Sequence, residues 1–449
     1  MSKQRIQLSD HFTYPRLLRF VLPCIGTMLF TSIYGIVDGL CVSNFVGKTA
    51  FAAVNLIMPL PMLLGTIGFM LGTGGSAIVG ITLGEGDQKK ADRYFTLFLL
   101  AALVSVSVLA VLGIVFLRPI AVLLGAKGEL LDYAVRYGRI LMVSLPTFAL
   151  QNMFQSFFVT AEKPHLGFWF TVGAGCTNMV LDVLMVGVWD WGVEGAAIAT
   201  FISQLVGGVL PVFYFIDRSN TSRLHLCRTK VYGGVLRDAC INGSSELMTN
   251  LSMSLVNILY NYQLLRLAGE NGVAAYGVIM YAAFLFVAVF VGYAVGSAPI
   301  VSFHYGARNH AEVHNLYRKS LRLIAVVAVT LTLASMFIIP CVARVFVGYD
   351  AELLALTSRA FRLYALSFLI MGFNVYASSF FTALGDGVTS ALISFLRTLA
   401  FQVIAILLLP MLLGIDGIWL AVTAAELAAL AVSAAMLLTK DKVFHYRKA

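Results

Sequence analysis

Charged residues are scarce in this chain, and several common motifs are missing from it. Only 12% of the 449 residues are charged, whereas a soluble domain carries about 25%. The pattern G-x-x-x-x-G-K-[ST] is absent, which excludes a P-loop nucleotide hydrolase. The six cysteines form no CxxC pair, and the seven histidines form no metal-ligand cluster. The composition therefore predicts an integral membrane protein with no cofactor and no zinc or redox centre.

Long apolar runs dominate the chain instead. Hydrophobic residues make up 59% of it, and the mean hydropathy is +0.88. Because a helix needs about 20 apolar residues to cross a bilayer, the polar and Gly/Pro-rich breaks predict twelve transmembrane helices. The predicted ranges are 16–42, 52–83, 92–117, 133–160, 166–188, 194–216, 236–266, 273–303, 318–346, 357–383, 388–412 and 416–438. The first run is too long for a signal peptide, so we expect no cleaved leader.

The basic residues fall mainly on one side of this predicted topology. If the N-terminus is cytoplasmic, most of the 31 lysines and arginines lie in cytoplasmic tails and loops, as the positive-inside rule requires. We therefore expect a multi-pass protein of the cell (inner) membrane with both termini in the cytoplasm. The net charge of +9 then reports orientation and contact with membrane lipids, and it does not indicate a nucleic-acid partner.

The two halves of the chain repeat each other at an offset of 222 residues. The matched elements are Gly74, Ile78-Val79 and Gly84 with Gly296, Ile300-Val301 and Gly306, and Gly192-Val-Glu-Gly195 with Gly414-Ile-Asp-Gly417. Six helices in each half give the halves the same orientation, related by a pseudo-twofold axis along the membrane normal. The predicted fold is all-α, with an N-lobe at 1–216, a connector at 217–235, a C-lobe at 236–438 and a cytoplasmic tail at 439–449.

Acidic residues inside apolar segments are the strongest functional signal. Asp38 lies within the first predicted helix, where a charge costs about 2.5–3.5 kcal/mol. Asn178 and Asp182 are four residues apart, so they share one face of the fifth helix, and Thr200 lies in the sixth. Two carboxylates in one desolvated site cannot both ionise cheaply, which suits a proton carrier, and the same oxygens suit Na⁺. Alternatively, these groups bond to one another and stiffen the bundle.

Two further features concern how helices bend and what they face. Pro23 lies in the same helix as Asp38 and removes a backbone hydrogen bond, so it predicts a kink that could act as a switch; an ordinary proline near a helix start is the alternative. In the seventh helix a polar stripe faces a cavity or another helix. Its members are Glu246, Asn250, Asn257 and Asn261.

A substrate cavity in such a protein is usually lined by aromatic and methionine side chains, since methionine repacks around varied ligands. The candidates, besides the polar stripe, are Met28, Tyr34, Met62, Met153, Tyr260, Tyr281 and Asn374. Arg397 and Glu426 are the remaining charges that lie well away from the ends of predicted spans, and we expect them to pair because an isolated charge in hydrocarbon is costly.

Taken together, these patterns resemble the multidrug and toxic compound extrusion (MATE) transporter family over about residues 12–438. The likeness is carried by Pro23 with Tyr34-Gly-Ile-Val-Asp38, by Leu83-Gly84-Glu85-Gly86, by Asn178-Met-Val-Leu-Asp182 and by Gly195-Ala-Ala-Ile-Ala-Thr200. Within the family the chain is similar to the prokaryotic, DinF-like branch, whose cation site lies in the N-lobe. The resemblance implies cation coupling at Asp38, Asn178, Asp182 and Thr200, and bending of the first helix at Pro23.

The expected function is a monomeric secondary antiporter, not an enzyme, that exports organic cations or amphiphiles in exchange for H⁺ or Na⁺. A lipid-linked oligosaccharide flippase of the same superfamily would need several cations in its cavity, and Arg397 is the one basic residue that lies well away from the ends of a predicted span. An intramembrane aspartyl enzyme would use Asp38 and Asp182 as a dyad, but neither lies in a Gly-Asp protease motif. A channel fits acids confined to one lobe less well than a coupled carrier does.

Overall fold

The computed structural model describes residues 6–45, 48–348 and 350–447, and for residues 38–45, 48, 51 and 345 it describes the backbone alone. Every regular element in these ranges is helical, as the sequence predicted. Nine helices are long and apolar enough to cross a membrane, and a pair bent by 46° makes a tenth. Among the nine, the 74-residue stretch Gly233–Gly306 is counted once, although it is broken at Gly269.

The first half of the chain forms six helices. They are α1 (Tyr14–Phe45), α2 (Pro59–Gly84, preceded by the short helix Lys48–Ile57), α3 (Gln88–Leu123), α4 (Glu129–Thr160), α5 (Pro164–Val188) and α6 (Gly192–Ile216). Proline stands in the first turn of α2 and α5, where its missing N–H costs nothing. Residues 217–232 then connect the halves without regular structure.

The second half forms six more helices. They are α7 (233–268) and α8 (270–306), α9 (His310–Val347), α10 (Ala351–Ala365 with Phe368–Ala383), α11 (Gly387–Leu413) and α12 (Ile415–Thr439). The non-helical backbone of Gly269 separates α7 from α8. Counting α7 and α8 separately raises the ten spans to eleven, and α4, which is 32 residues long, is the twelfth. The predicted total of twelve is confirmed.

Turn geometry repeats between the halves at the predicted offset of 222. Gly192 and Gly414, at the start of the last helix of their half, have φ angles of 57° and 59°. The caps of α3 and α9 also correspond, because the side chains of Asp87 and Asn309 each accept a hydrogen bond from the backbone N–H three residues on. The internal repeat therefore extends to backbone conformation.

The two halves meet closely at the end of the bundle that carries Gly84, Gly306 and residues 6–13, which we call the termini face. A Cβ added to Gly84 on α2 would overlap the carbonyl oxygen of Phe303 on α8, and one added to Gly306 would overlap the carbonyl oxygen of Ile81 on α2. Only glycine lets two helix backbones approach so closely. These contacts close the space between the halves at the termini face.

Residues 6–13 form a strap across the termini face that is bonded to both halves. The backbone N–H of Leu8 donates to Glu162 Oε1 at 2.9 Å, and Glu162 follows α4 in the first half. The backbone N–H of Phe12 donates to Glu312 Oε1 at 2.9 Å, and Glu312 opens α9 in the second half. Leu8 and Phe12 are both fully buried, so the strap is part of the packed contact between the halves.

Gly306→Ala is expected to separate the halves at the termini face, because its new methyl group would displace the backbone at Ile81. The distance between spin labels at Lys89 and Arg318 should lengthen in the variant. Gly277→Ala is the matched control, since a Cβ there meets nothing within 4 Å. Equal distances in the two variants would contradict the contact described here.

Candidate functional site

Helix α5 places a carboxylate and a carboxamide in the interior of the first half. Asp182 is 0% exposed and Asn178 is 2% exposed, as their four-residue spacing on one face predicted. On one side Gly175 admits the rings of Phe30 and Tyr34 from α1; a Cβ at Gly175 would lie 2.5 Å from Phe30 Cε1. Helix α5 therefore holds this face against α1.

Helix α6 covers the same segment from another side. A Cβ at Gly195 would lie 3.1 Å from the Met185 carbonyl oxygen, so α6 packs directly on the turn that follows Asp182. That turn, Val183–Val188, is a π-helix, a geometry often found at functional sites. Thr200 is half-buried on α6, and its hydroxyl donates to the Ala196 carbonyl at 3.0 Å, which leaves the oxygen able to accept a bond.

The amide of Asn178 is incompletely bonded. Its Nδ2 finds no acceptor within the described part of the chain, although a buried donor without a partner costs about 1–3 kcal/mol. This NH₂ group can donate to a carboxylate or to a water oxygen, whereas the Oδ1 of the same amide is the atom that could bind a cation.

Asp38 itself lies outside the residues whose side chains the structure describes, so its contacts are not part of the site's geometry. The level of its backbone follows from the packing of α1 on α5. Gly26 lies against Phe168, and Tyr34 lies against Gly175. The two residues of each contact are 142 and 141 positions apart in the sequence, respectively. The two helices therefore run in parallel, and position 38 of α1 is level with the stretch between Asn178 and Asp182.

Pro23 lies inside α1, which continues as one helix from Tyr14 to Phe45. The hydroxyl of Thr27 donates to the Pro23 carbonyl at 2.9 Å, one turn further on. Pro23 is buried, and the backbone of α1 lacks one hydrogen bond there. The weakest point of the helix is thus about four turns before Asp38.

A separate cavity of about 380 Å³ lies mainly in the second half. Helices α7, α8, α10, α11 and α12 line most of it, and the first half contributes three small hydroxyl residues. The lining includes Thr73, Ser76, Ser156, Glu246, Met253, Asn257, Tyr260, Tyr276, Met280, Tyr364, Met371, Arg397 and Glu426. Apolar and aromatic side chains with a few convergent polar groups are the usual composition of a small-molecule site.

The polar stripe predicted on α7 reaches this cavity only in part. Glu246 and Asn257 line it, and Asn257 Oδ1 accepts a hydrogen bond from the Tyr276 hydroxyl at 2.8 Å. Asn250 instead donates to the Glu246 backbone carbonyl at 2.9 Å, and Asn261 is exposed on the outer surface. Since a helix turns 100° per residue, 15 positions rotate Asn261 about 60° away from Glu246.

The other predicted cavity residues are dispersed. Tyr260 lines the cavity and stacks on Tyr276 with ring centroids 4.9 Å apart. Met62 is 54% exposed and is not part of the cavity lining, and Met153 is fully buried in the core. The remaining three lie away from the cavity: Met28 lines a small crevice beside Phe158, Tyr34 packs on Gly175, and Tyr281 stacks on Phe346.

Arg397 and Glu426 form the ion pair that the sequence predicted. Arg397 Nε lies 2.8 Å from Glu426 Oε1, with side-chain exposures of 13% and 0%. Asn374, fully buried on α10, donates to Glu426 Oε2 at 2.7 Å. Both charged groups also line the cavity, and Arg397 lies in the π-helical turn Leu396–Ala400. The described lining thus carries two carboxylates and one guanidinium, which is unlike the cationic cavity expected of a flippase.

Two functional features escaped the sequence analysis. Tyr276 completes the aromatic wall and bonds to Asn257, but a single tyrosine in an apolar helix gives no signal of its own. Glu162 and Glu312 bind the strap, and both lie in loops or first turns where an acidic residue ordinarily faces solvent. Only the folded chain brings residues 8 and 12 to them.

Known proteins share this sequence pattern and this fold. The family model described as MatE matches residues 23–184 and again residues 247–408, one match in each half. The multidrug export protein MepA of Staphylococcus saprophyticus is 21% identical over 433 residues, covering 95% of this chain and 94% of that protein.

Two solved structures resemble the whole chain. One is described as the outward-facing conformation of a multidrug resistance MATE family transporter of the MOP superfamily, with 22% identity, a TM-score of 0.91 and complete coverage of both chains. The other is a MOP superfamily transporter from Pyrococcus furiosus, with 22% identity, a TM-score of 0.90 and the same coverage. With the family model matching most of the chain in two successive copies, this protein belongs to the MatE family of multi-pass membrane transporters and is not an enzyme.

Proposed function

We propose that this transporter is a secondary active exporter of organic cations and other amphiphiles, driven by H⁺ or Na⁺. The observation that carries the proposal is the separation of two sites: a small, buried acidic site in the first half and a larger cavity in the second. Exchange of an ion for a drug-sized molecule requires two ligands with different affinities for the two conformations. Two distinct sites provide for this.

The ion site comprises Asp182 and Asn178 on α5, with Asp38 from α1 and Thr200 from α6. The burial of Asp182 and Asn178 and the π-helical turn that directly follows Asp182 support it, since such turns are often found at functional sites. A single proton shared between two carboxylates, or one Na⁺ with carboxylate, amide and hydroxyl oxygens around it, suits this donor set. Loading changes the charge beside α1, and Pro23 is the point at which α1 bends most easily.

The substrate site is the cavity around Glu246, Asn257 and Tyr260. Its volume of about 380 Å³ lies within the usual range for small-molecule sites, about 300–1,000 Å³. Glu246 has no cationic partner among the described residues, so the positive group of a substrate can approach it. The stacked rings of Tyr260 and Tyr276 offer faces for flat aromatic ligands. The name of the MepA relatives, multidrug export protein, supports substrates of this kind.

The direction of transport follows from which face is closed. The halves contact each other at the termini face through Gly84 and Gly306, and the strap spans both halves there. Taking the termini face as cytoplasmic, as the positive-inside rule favours, this conformation is outward-facing. Binding of the ion from outside then favours release of substrate to the outside, and the return step delivers the ion to the cytoplasm.

Transport by purified protein in liposomes tests the proposal. Liposomes that carry the protein in their membrane are loaded with a fluorescent organic cation. A pH gradient and a Na⁺ gradient are then imposed in separate experiments. Accumulation against the substrate gradient under one of these conditions is the expected result. Equal, gradient-independent leakage under both conditions would show a channel, and no movement of any cation would reject the exporter.

Glu246→Gln is expected to weaken transport of cationic substrates about tenfold or more, because a charge-assisted contact contributes about 1.5–3 kcal/mol. Transport of an uncharged amphiphile should change little. The concentration for half-maximal efflux of each substrate is the measurement. Glu270→Gln provides the control, since Glu270 is an exposed acid of the same half. An equal loss for charged and uncharged substrates would place Glu246 in folding rather than recognition.

A further inference from the structure

A groove on the outer surface of the first half is unlike the surrounding apolar surface. It lies between α1 and the first turns of α5 and has a volume of about 500 Å³. Its lining residues are Pro15, Leu18, Arg19, Leu22, Pro23, Gly26, His165 and Phe168. The α1 members recur at three- and four-residue spacing, so they share one face of the helix.

Small residues produce the concavity. Gly26 has no side chain, and the Phe168 ring fills the adjoining space, with Cε2 3.1 Å from where a Cβ would lie. Leu22 borders the groove and is 58% exposed. From Arg19 to Gly26 the apolar floor of the groove follows α1 for about 10 Å, which is about two thirds of the hydrocarbon thickness of one leaflet, about 15 Å. The floor therefore has room for the part of one acyl chain that lies nearest the headgroup.

Charge distinguishes the polar end of the groove from its apolar floor. Arg19 and His165 are both exposed there, and the lining contains no acidic residue. Other cations nearby have partners: Arg16 donates to the His11 carbonyl at 2.9 Å, and Lys319 donates to the Phe12 carbonyl at 2.6 Å. Among the described residues no ion pair or hydrogen bond engages the Arg19 guanidinium, so it is available to a ligand.

We propose that this groove binds one anionic phospholipid of the leaflet at the termini face. Its phosphate lies at Arg19 and His165, and one acyl chain follows the floor across Pro23 and Gly26 to Phe168. A zwitterionic lipid has the same phosphate, but its ammonium group would find no carboxylate in the lining. The acyl chain of the lipid contacts α1 on both sides of Pro23 and also contacts α5. The bound lipid therefore favours the continuous form of α1 seen here.

Lipid retention, measured by native mass spectrometry of protein released from nanodiscs, tests this without any transport assay. The nanodiscs contain equal amounts of phosphatidylglycerol and phosphatidylcholine. Wild-type protein should retain the anionic lipid preferentially. Arg19→Gln should reduce that retention about fivefold, as expected from about 1 kcal/mol per basic residue at an anionic surface. Leu22→Trp, which keeps the charge and fills the groove, should reduce retention of both lipids.

Arg318→Gln is the matched control, because Arg318 is an exposed arginine of α9 near the same face and lies outside the groove. The Arg318→Gln variant should retain as much anionic lipid as the wild type does. Adding inorganic phosphate at millimolar concentration should displace no lipid, and displacement would show a free-phosphate site instead. Equal retention by wild type, Arg19→Gln and Leu22→Trp would overturn the proposal, whatever the outcome of the efflux experiments.

Discussion

Replacing Asp182 by asparagine is expected to reduce gradient-driven efflux to the level of protein-free liposomes. The variant keeps the size and hydrogen-bonding capacity of the side chain but removes the charge that binds a proton or Na⁺. Asp182 is fully buried between α1 and α6, so no solvent-exposed acid can replace it. Asp38→Asn should have the same effect, since its position in α1 is level with that site. Efflux of a fluorescent cation, measured with an imposed pH or Na⁺ gradient, gives the result.

The control for both variants is Glu194→Gln on α6. Glu194 is about half exposed and lies 3.8 Å from Arg136, and exposed pairs contribute about 0–1 kcal/mol. It should leave transport unchanged. Folding is checked by melting in detergent, where Asp182→Asn should melt close to the wild type because asparagine keeps the size and the hydrogen-bonding capacity of the side chain. Efflux that continues in Asp182→Asn with its gradient dependence intact would remove this residue from the coupling mechanism.

Arg397→Gln is expected to destabilise the protein by about 3–5 kcal/mol, the usual cost of removing one partner of a buried ion pair. Glu426 would remain fully buried with only the Asn374 amide as a side-chain partner. The melting temperature in detergent should therefore fall by several degrees. Substrate affinity should change as well, because the pair lines the cavity and its loss alters the charge next to Glu246.

The double variant Arg397→Gln with Glu426→Gln separates these effects. It removes both charges while leaving an acceptor for the Asn374 amide, so most of the lost stability should return. If the double variant melts as low as Arg397→Gln alone, the guanidinium contributes by packing rather than by pairing. Thr439→Ala is a neutral reference, since its hydroxyl bonds only to backbone carbonyls of its own helix at an exposed position.

Several features could be predicted from the sequence because they depend on short-range or one-dimensional patterns. Apolar length gave the helices, and the 222-residue offset gave the two halves, which the double family match supports. The four-residue spacing of Asn178 and Asp182 put both on one buried face. The pairing of Arg397 with Glu426 followed from the cost of an isolated charge in hydrocarbon. None of these inferences requires knowing how the halves pack.

Tertiary structure alone decided where those helices leave space and where they do not. It placed the cavity in the second half, kept Asn257 on its wall and turned Asn261 outward, although both belong to one predicted stripe. It also left Met62 exposed and outside the cavity lining, and it brought the strap to Glu162 and Glu312. The sequence determined which segments cross the membrane and which polar groups they carry, because burial in hydrocarbon acts on each helix separately. Contacts between distant helices depend on rotation and close approach, and those are fixed only when the two halves pack together.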